Sequence, residues 1–439
     1  METLNAAASS RLPIDELLPK LSASLNKHAT LLLTAPPGSG KTTRVPLALL
    51  DEPWLEDRSI VMLEPRRLAA RSAARFMARQ VGESVGQRIG YRTRLETKVS
   101  KHTRVEVVTE GILVRMLQTD PAIDRVACII FDEFHERSLQ SDLGLALARE
   151  TQQALRPDLK LIVMSATLTI DPLLKLLGQP PVLRAQGRSY PVTVEYRPPA
   201  RDRKLSQHVA GTIRFALNEH KGSVLVFLPG MGEIRRVADA LSASLPHDTH
   251  LYRLHGSLAP AEQDAAIAPA TPDQRKVVLA TSIAESSLTI EGIRVVIDAG
   301  LSRSARFDPN SGMSRLVTEP VSRASAEQRA GRAGRLAPGI CYRLWSETQQ
   351  SRLQAAATPE IMQADLAPVV LELAHWGVTD PTELVWLDPP PRPHWNQARE
   401  LLTALQALDP NGRITGHGRD LLKPGLHPRL AHLLIEGEK

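Results

Sequence analysis

The stretch ATLLLTAPPGSGKTTRVPLALL, residues 29–50, contains the most informative local pattern of the chain. Its apolar run Thr30–Thr34 predicts a buried strand, and a helix is expected to begin near Lys41. Gly38 and Gly40 lie in the turn between them, where glycine lets successive backbone N–H groups point inward. The following helix adds its positive N-terminal end. The stretch therefore predicts a loop that binds the phosphates of a nucleotide.

Two side chains of this loop have predicted roles in nucleotide binding. Lys41 is expected to reach the β- and γ-phosphates, and the Thr42 hydroxyl is expected to hold Mg²⁺. Ala35 stands where the strict pattern has glycine, and a glycine-rich turn with an incidental lysine is the alternative interpretation. The predicted nucleotide-binding residues are Ala35, Pro36, Pro37, Gly38, Ser39, Gly40, Lys41, Thr42 and Thr43.

Composition limits the class of protein and its partners. The 439 residues suffice for about three domains, and the net charge of +6 favours a polyanionic partner. Aromatic residues make up only 4%, which argues against a surface built mainly of base-stacking platforms. Two cysteines without a C-x-x-C pair make a disulfide framework and a zinc site unexpected, and a reducing cytoplasm is expected. Neither a secretory signal nor an apolar run of membrane-spanning length is found, so a membrane partner is not expected.

An acidic pair follows an apolar strand in the first half of the chain. The run Val126–Phe131 (VACIIF) predicts a central strand of a parallel sheet, and Asp132 and Glu133 stand at its carboxyl end. Asp132 is expected to contact Mg²⁺ through water, and Glu133 to orient or deprotonate an attacking water. The alternative interpretation is a helix N-terminus at which acidic residues are favourable.

The order of strands and helices predicts two similar α/β domains. Strands alternate with helices in the first half, which predicts a doubly wound parallel sheet with right-handed crossovers. The chain becomes rich in Pro and Arg over residues 178–201, and a domain boundary is expected near Arg188. The second half repeats the layout, but its first loop, LPGMGE, lacks a lysine. We therefore expect the nucleotide to bind the first domain and to be capped by the second.

Two basic segments are candidates for contacts with phosphate. QRAGRAGR, residues 328–335, repeats arginine every three residues, which predicts a row along one side of a helix. Arg332 and Arg335 are candidate arginine fingers for a γ-phosphate, with a plain basic helix as the alternative. The second segment, residues 66–80, carries four arginines near its start and on charge alone predicts a solvated basic face. Those four are Arg66, Arg67, Arg71 and Arg75.

Taken in order, these motifs resemble those of superfamily 2 helicases, and in detail those of the DEAH-box RNA helicases. The matching motifs are APPGSGKT, PRR, TEG, DEFH, SAT, FLPG, ATSIAESSLTI and QRAGRAGR. The resemblance runs from about Leu12 to Lys439. It implies two tandem RecA-like domains, residues 1–187 and 188–350, followed by a small, mainly helical winged-helix domain and the start of a helical domain in residues 351–439. Relatives continue with further domains, so the chain is expected to be truncated.

The resemblance also implies roles for individual residues. The catalytic residues would be Lys41, Asp132, Glu133, His135, Gln328, Arg332 and Arg335. Mg²⁺ would be bound by Thr42, Asp132 and Glu133, and the DEAH-type box would be Asp132, Glu133, Phe134 and His135. The RNA backbone would be contacted by Arg66, Arg67, Thr109, Gly111 and Thr281. Ser165 and Thr167 would couple the two domains.

The function implied by the resemblance is that of an ATP-dependent RNA helicase that moves 3′-to-5′. It would hydrolyse ATP, or another nucleoside triphosphate, with Mg²⁺, act on single-stranded or partly duplex RNA, and be a cytoplasmic monomer. The alternatives are a DNA helicase and an RNA-binding scaffold with a weak ATPase. Phe134 departs from the family's name motif, and Phe76 and Leu301 stand at the places where relatives sandwich a base. Residues 302–320 are expected to form a hairpin around 308–312, similar to the one at the duplex junction in relatives or else an ordinary surface hairpin.

Overall fold

The structure of the chain is a computed structural model that describes residues 12–166, 170–187, 190–242, 245–271, 273–286, 288–309 and 311–437. Of the residues with predicted roles, Thr167 lies outside this part of the chain.

The first half of the chain forms an eight-stranded sheet. Its strands are β1 Thr30–Thr34, β2 Ser59–Glu64, β3 Ile89–Arg92, β4 Thr97–Lys98, β5 Val105–Thr109, β6 Val126–Phe131, β7 Lys160–Ser165 and β8 Val182–Arg184. They lie in the order β4-β3-β5-β2-β6-β7-β1-β8. The pairs are parallel except for β3 with β4, which extends one edge in the antiparallel sense.

Helices cover both faces of this sheet, because its central strands are apolar on both sides. Every residue of β6 is buried, and neighbouring residues Ile129 and Ile130 point into different hydrophobic clusters on opposite faces. The helices are α1 Leu18–Leu25, α2 Lys41–Ala48, α3 Arg67–Gln80, α4 Glu110–Thr119, α5 Leu139–Ala154 and α6 Asp171–Leu176.

The second half forms a six-stranded, wholly parallel sheet of similar design. Its strands are β9 Val192–Tyr196, β10 Ser223–Phe227, β11 Thr249–Leu254, β12 Arg275–Ala280, β13 Ile293–Asp298 and β16 Gly339–Arg343, in the order β11-β12-β10-β13-β16-β9. Its helices are α7 Leu205–Glu219, α8 Met231–Leu241, α9 Pro260–Ile267, α10 Arg323–Ala330 and α11 Glu347–Arg352. The expected hairpin is present as β14 Leu301–Asp308 paired with β15 Met313–Pro320. The two predicted α/β domains with parallel sheets are therefore confirmed.

The linker between the sheets, residues 185–191, touches both domains beside the phosphate loop. A Cβ atom at Gly187 would lie 2.2 Å from Pro36 Cγ, so the linker packs tightly on that loop. On the other side, the Tyr190 N–H donates to the carbonyl of Gly334 at 2.9 Å. The linker thus contacts the phosphate loop of one domain and the arginine-containing segment of the other.

Four helices form the C-terminal part of the described chain. They are α12 Ala367–Trp376, α13 Arg392–Ala404, α14 Gly416–Leu422 and α15 Pro428–Gly437. A single antiparallel bridge joins Leu408 to Ile414, and the winged-helix assignment stays a prediction. Buried residues of α12 share one hydrophobic cluster with α4 and α5, so this part packs on the first domain. Among the described residues, every helix is too short or too polar to cross a lipid bilayer.

In the C-terminal part, the stretches TPEIMQADLAPVVLELAHWGV, from residue 358, and NQARELLTALQAL, from residue 396, predict two helices, and both begin elsewhere in the structure. The helical pattern expected from residue 358 begins as a helix only at Ala367, with Pro368 in its first turn, after a separate 3-10 turn at residues 360–362. The helix expected from residue 396 already begins at Arg392, because Pro393 is tolerated in a first turn, where its missing N–H leaves no bond unmade.

Candidate active site and nucleic-acid interface

The phosphate loop joins β1 to α2 in a conformation that needs both of its glycines. Gly38 has φ +80° and Gly40 has φ +91°, in the left-handed region that glycine adopts without strain. A Cβ atom at Gly40 would also lie 2.7 Å from Leu12 Cδ1, and the Ile14 N–H donates to the Ser39 carbonyl at 3.2 Å. The N-terminal segment therefore supports the loop from behind.

Lys41 is held by the acidic pair that the sequence placed on another strand. Its side chain is 3% exposed, and Nζ donates to Glu133 Oε1 at 2.8 Å and lies 3.8 Å from Asp132 Oδ1. Burial alone would lower the pKa of Lys41, but the two carboxylates outweigh it and raise that pKa. Burial would likewise raise the pKa of Glu133, but the Lys41 ammonium outweighs it and that pKa falls to about 2. Glu133 is therefore an ionised carboxylate paired with the lysine of the phosphate loop.

Asp132 and Thr42 present oxygen atoms to the same point. The Thr42 hydroxyl donates to Asp132 Oδ2, and Asp132 Oδ1 accepts the N–H of Glu133 at 2.7 Å. Glu133 has φ +50°, a strained value for a residue with a side chain, which turns the carboxylate toward Lys41. A hydroxyl and carboxylates around one point are the donors that Mg²⁺ prefers, so these residues fit the ion implied for them.

Glu64 is a third carboxylate of this site, and sequence reasoning missed it. It ends β2, which pairs with β6 through Leu63 and Phe131, so that its side chain lies near Asp132. It is fully buried beside Asp132, and apart from that neighbouring carboxyl its oxygens have no hydrogen-bond partner within the described part of the chain. Burial, reinforced by Asp132 and Glu133, raises the pKa of Glu64 well above its ordinary value. The only signal in the sequence was a charged residue at the end of an apolar strand.

His135 connects the acidic pair to the second domain. Its Nδ1 accepts the N–H of Ala166 at 3.2 Å, and its Nε2 lies 2.6 Å from the side-chain amide nitrogen of Gln328 on α10. A backbone N–H cannot turn away, so Nδ1 is the acceptor and Nε2 carries the proton of the neutral ring. Gln328 satisfies that proton when its carboxamide turns its oxygen toward the ring. One hydrogen-bonded chain therefore runs from β7 through His135 into the second domain.

The segment QRAGRAGR does not form one helical row of arginines, and this part of the prediction is wrong. Helix α10 ends at Ala330, and a 3-10 turn follows over Gly331–Gly334. A Cβ atom at Gly334 would lie 2.5 Å from the Tyr190 carbonyl oxygen. The backbone at Gly334 therefore packs too closely against the linker for a regular helix whose residues carry side chains. The three arginines consequently have different surroundings.

Arg329 is structural, Arg332 donates to the carbonyls of Glu285 and Leu288 in its own domain, and Arg335 lies beside the phosphate loop. Arg329 Nη1 donates to Asp298 Oδ1 at 2.9 Å, and the guanidinium is 1% exposed. Arg335 Nη1 donates to Thr289 Oγ1 at 2.7 Å, and its Nε lies 3.9 Å from the position of a Cβ atom on Gly38. Burial lowers the pKa of Arg332 well below its ordinary value and that of Arg335 to about 10, while Glu133 opposes both shifts. Both arginines therefore lie within electrostatic reach of the acidic pair across the domain boundary.

Two ion-pair groups hold the domains together on the side of α3. Arg71 Nη2 and Arg75 Nη1 donate to the two carboxylate oxygens of Asp264 on α9, at 2.8 Å and 3.0 Å. Glu136 accepts from Arg66 at 3.0 Å and from the hydroxyl of Ser286 in the second domain. The solvated face expected for this helix is wrong for Arg71 and Arg75, because the second domain supplies their partner.

Two family descriptions match the chain, one on each α/β domain. The DEAD/DEAH box helicase family matches residues 18–176, and the helicase conserved C-terminal domain matches residues 203–337. This chain belongs to the DEAD/DEAH box helicases. The resemblance found in the motifs is thereby confirmed.

Individual helicases are similar over nearly the whole chain. The ATP-dependent RNA helicase HrpB of Escherichia coli (strain K12) is 47% identical over 429 residues, which are 98% of this chain and 53% of that protein. The pre-mRNA-splicing factor ATP-dependent RNA helicase prp22 of Schizosaccharomyces pombe is 36% identical and covers 97% of this chain and 37% of its own length. A crystal structure of Escherichia coli DEAH/RHA helicase HrpB has a TM-score of 0.92 and covers 97% of this chain and 54% of its own. This chain thus spans about half the length of HrpB.

The helicase residues predicted to contact RNA lie at the carboxyl ends of parallel strands. Arg66 follows β2, Thr109 ends β5 and caps α4, and Thr281 follows β12. Arg67 and Gly111 are exposed, with open space around the α-carbon of Gly111. Arg66 is paired with Glu136, so it would have to exchange this partner for a phosphate.

Ser165, predicted to couple the domains, lies at the end of β7 behind the phosphate loop. Its carbonyl accepts the N–H of Ala35 at 3.0 Å, and its side chain is buried. Because Ala166 follows it and donates to His135, this strand end connects the loop to the box.

Proposed function

We propose that this chain hydrolyses ATP, or another nucleoside triphosphate, and uses the cycle to move along RNA and unwind it. The observation that supports this most directly is the convergence of Lys41 and Glu133 of the first domain with Arg335 of the second beside one phosphate loop. We also propose the roles predicted above for the site residues, and domain boundaries after residues 187 and 350.

The hydrolytic step follows from the charge balance around Lys41. Arriving phosphates attract the Lys41 ammonium away from Glu133, and the loss of that ion pair raises the proton affinity of the Glu133 carboxylate. Glu133 then accepts a proton from a water whose oxygen attacks the γ-phosphorus. The bond from that phosphorus to the bridging oxygen breaks, which leaves a nucleoside diphosphate and phosphate. A bound Mg²⁺, held by Thr42, Asp132 and Glu133, would neutralise phosphate charge.

The second domain completes the site, and its movement gives the motor step. Arg332 and Arg335 stabilise negative charge on the γ-phosphate. Gln328 couples the binding of that phosphate to His135 through their side-chain contact. Loss of the γ-phosphate removes this attraction, so that the cleft opens. RNA is held through its backbone by Arg66, Arg67, Thr109, Gly111 and Thr281, so binding is independent of sequence and weakens with salt. The relatives are named RNA helicases, which supports RNA over DNA, and we propose 3′-to-5′ movement.

The experiment measures hydrolysis of ATP by this chain without nucleic acid, with single-stranded RNA and with single-stranded DNA. We expect stimulation by RNA above that by DNA. Stronger stimulation by DNA would favour a DNA helicase, and binding of RNA without hydrolysis would favour a scaffold. Duplexes with either a 3′ or a 5′ single-stranded overhang test the direction, since only the 3′ overhang should support unwinding.

We further propose that the chain acts as a monomer in the cytoplasm. Cys128 and Cys341 are both buried free thiols, which fits a reducing compartment.

A further inference from the structure

A cluster of metal-ligating side chains lies between the last two helices, far along the chain from the nucleotide site. His417 is in the first turn of α14, and His432 and Glu436 are four residues apart on α15 and so share one face of that helix. His417 Nε2 lies 2.9 Å from His432 Nδ1, and the two rings are nearly perpendicular, with an angle of 87° between their planes. One ligand atom from each of the three residues lies within 4.8 Å of the other two.

We propose that His417, His432 and Glu436 bind a divalent zinc-class metal ion, with a water molecule as the fourth ligand. Two imidazole nitrogens and one carboxylate oxygen are a ligand set that zinc takes in a tetrahedral site with one open position. Zn–N bonds of about 2.1 Å place tetrahedral ligands about 3.4 Å apart. The two facing ring nitrogens are 2.9 Å apart and every separation among the three ligand atoms is within 4.8 Å, so small side-chain rotations bring the ligands into place.

The arrangement gives an ion from solvent access to the three ligands. Both histidines are partly buried and Glu436 is exposed, so an ion can enter from solvent. The ring nitrogens that face each other at 2.9 Å share one hydrogen when both rings are neutral. When a metal binds, that hydrogen moves to the other nitrogen of its ring, so that both facing nitrogens donate a lone pair to the ion. The number and spacing of the cysteines made a zinc site unexpected, but that argument applies to cysteine ligands and not to a site of histidines and a carboxylate.

Such an ion would fix the position of α15 beneath the β14–β15 hairpin. The first turn of α15 carries Arg429, whose Nη2 lies 2.6 Å from the position of a Cβ atom on Gly312 at the hairpin turn. Just before α15, His427 Nε2 lies 3.0 Å from Asp365 Oδ2. The metal would add a bond between α14 and α15 at the other end of the helix. It would thereby stiffen the support of the hairpin, and this role does not depend on helicase activity.

The test is titration of the complete, metal-free 439-residue chain with Zn²⁺ against a chromogenic chelator, in excess Mg²⁺ to occupy the nucleotide site. Co²⁺ absorption in the visible range then reports whether the ion is tetrahedral. We expect one tight equivalent of Zn²⁺ for each chain and affinity at least tenfold weaker in His417→Ala and His432→Ala. Glu436→Gln should also weaken Zn²⁺ binding, and because this position is exposed the variant should fold as the wild type does. His247→Ala, a change to an exposed turn residue, is the matched control and should bind as the wild type does.

Two results would overturn the proposal. One is Zn²⁺ affinity in all three cluster variants equal to that of the His247→Ala control, which would show adventitious binding elsewhere. The other is the absence of a tight equivalent in the wild-type chain. A melting temperature that rises with Zn²⁺ in the wild type but not in Glu436→Gln would support the bond between α14 and α15 independently of the titration.

Discussion

At the scale of single residues, the centre of the molecule is a balance of charges around Lys41. The ammonium is buried against Glu133 and lies near Asp132, and Glu64 adds a third buried carboxyl group beside Asp132. Three acidic groups around one ammonium are costly, because buried like charges repel one another at low dielectric, and a further cation relieves that cost. The site therefore favours binding of Mg²⁺ together with phosphates.

Glu133→Gln should retain ATP and RNA binding and lose hydrolysis. The amide keeps the shape of the side chain but cannot accept a proton from the attacking water, so we expect turnover to fall by at least about 100-fold. Steady-state phosphate release and binding of a fluorescent nucleotide would measure the two properties separately. Glu56→Gln, a change to an exposed residue of a turn, is the control. Turnover near the wild-type rate in Glu133→Gln would remove Glu133 from the mechanism.

Glu64→Gln should raise the Mg²⁺ concentration needed for nucleotide binding several-fold. A nearby Mg²⁺ would favour the charged carboxylate form of Glu64, which the amide cannot adopt, and the variant also loses an oxygen that could accept hydrogen bonds from the ion's water ligands. The measurement is fluorescent-nucleotide affinity as a function of Mg²⁺ concentration, again with Glu56→Gln as control. An unchanged Mg²⁺ dependence would show that Glu64 serves only packing.

Glu110→Gln should change how stability depends on pH. Burial raises the pKa of Glu110 from an ordinary 4.5 to about 8, against the opposing hydrogen bonds from Ser138 and Ser141. The native state thus binds the proton more tightly than the unfolded state, and wild-type stability is lost as pH rises through about 8. We expect the variant to be more stable than the wild type at pH 8.5, by about 2 kcal/mol, and the difference to disappear near pH 5. Urea unfolding at both pH values measures this, and a difference that does not depend on pH would contradict it.

Local sequence was enough to predict some of the site residues and not others. Lys41 and Thr42 belong to a motif whose spacing fixes its conformation, and Asp132 and Glu133 end a strand that is apolar throughout. Glu64 was missed because its proximity to Asp132 comes from the pairing of β2 with β6, strands far apart in sequence. The same reason explains Arg71 and Arg75, whose partner Asp264 lies in the other domain.

At the scale of elements, strands were predicted more accurately than helices. Buried apolar runs such as Thr30–Thr34 and Val126–Phe131 have the predicted bounds, because a strand covered on both faces has a continuous apolar sequence. Helix ends depend on prolines and on close contacts that a sequence pattern does not show. The segment after α10 is the clearest case, since Gly331–Gly334 follows a tighter turn than its arginine spacing suggested.

Arg329→Ala and Arg335→Ala should separate stability from catalysis within this one segment. Loss of Arg329 leaves the fully buried Asp298 without its guanidinium partner, which should cost about 3–5 kcal/mol of unfolding free energy. Loss of Arg335 should leave stability nearly unchanged and lower turnover by about 1,000-fold, as expected for a group that stabilises charge on the γ-phosphate. Urea unfolding and phosphate release measure the two effects. Equal losses of unfolding free energy in Arg329→Ala and Arg335→Ala would contradict a structural role for the first arginine and a catalytic role for the second.

At the scale of the whole molecule, the ion pairs between α3 and α9 help to hold the two α/β domains together. The two arginines bind one carboxylate, Asp264, which is 44% exposed, so solvent weakens the pairs. Sequence reasoning predicted two α/β domains that share a site. It did not predict this contact or the packing of α12 on the first domain, because both depend on which surfaces meet after folding.

Asp264→Asn should shift the molecule toward open arrangements. We expect the ratio of closed to open molecules to fall about fivefold, as for the loss of about 1 kcal/mol from partly exposed ion pairs. Single-molecule energy transfer between dyes on the two α/β domains would measure that ratio. Glu262→Gln on the same helix is the matched control, since its 4.0 Å contact with Arg253 stays within the second domain. Identical distributions for Asp264→Asn and this control would contradict the role of the contact.

The linker of residues 185–191 sets a geometric limit on any such opening. Fully extended, the chain from Arg184 to Val192 reaches about 28 Å at most, and the contacts at Gly187 and Tyr190 use part of that reach beside the nucleotide. The domains can therefore separate by rotation about a pivot next to the phosphates more readily than by translation. The displacement of an atom in such a rotation grows with its distance from the pivot. A small movement beside the site that the γ-phosphate leaves therefore becomes a larger displacement at the distant ends of the two sheets.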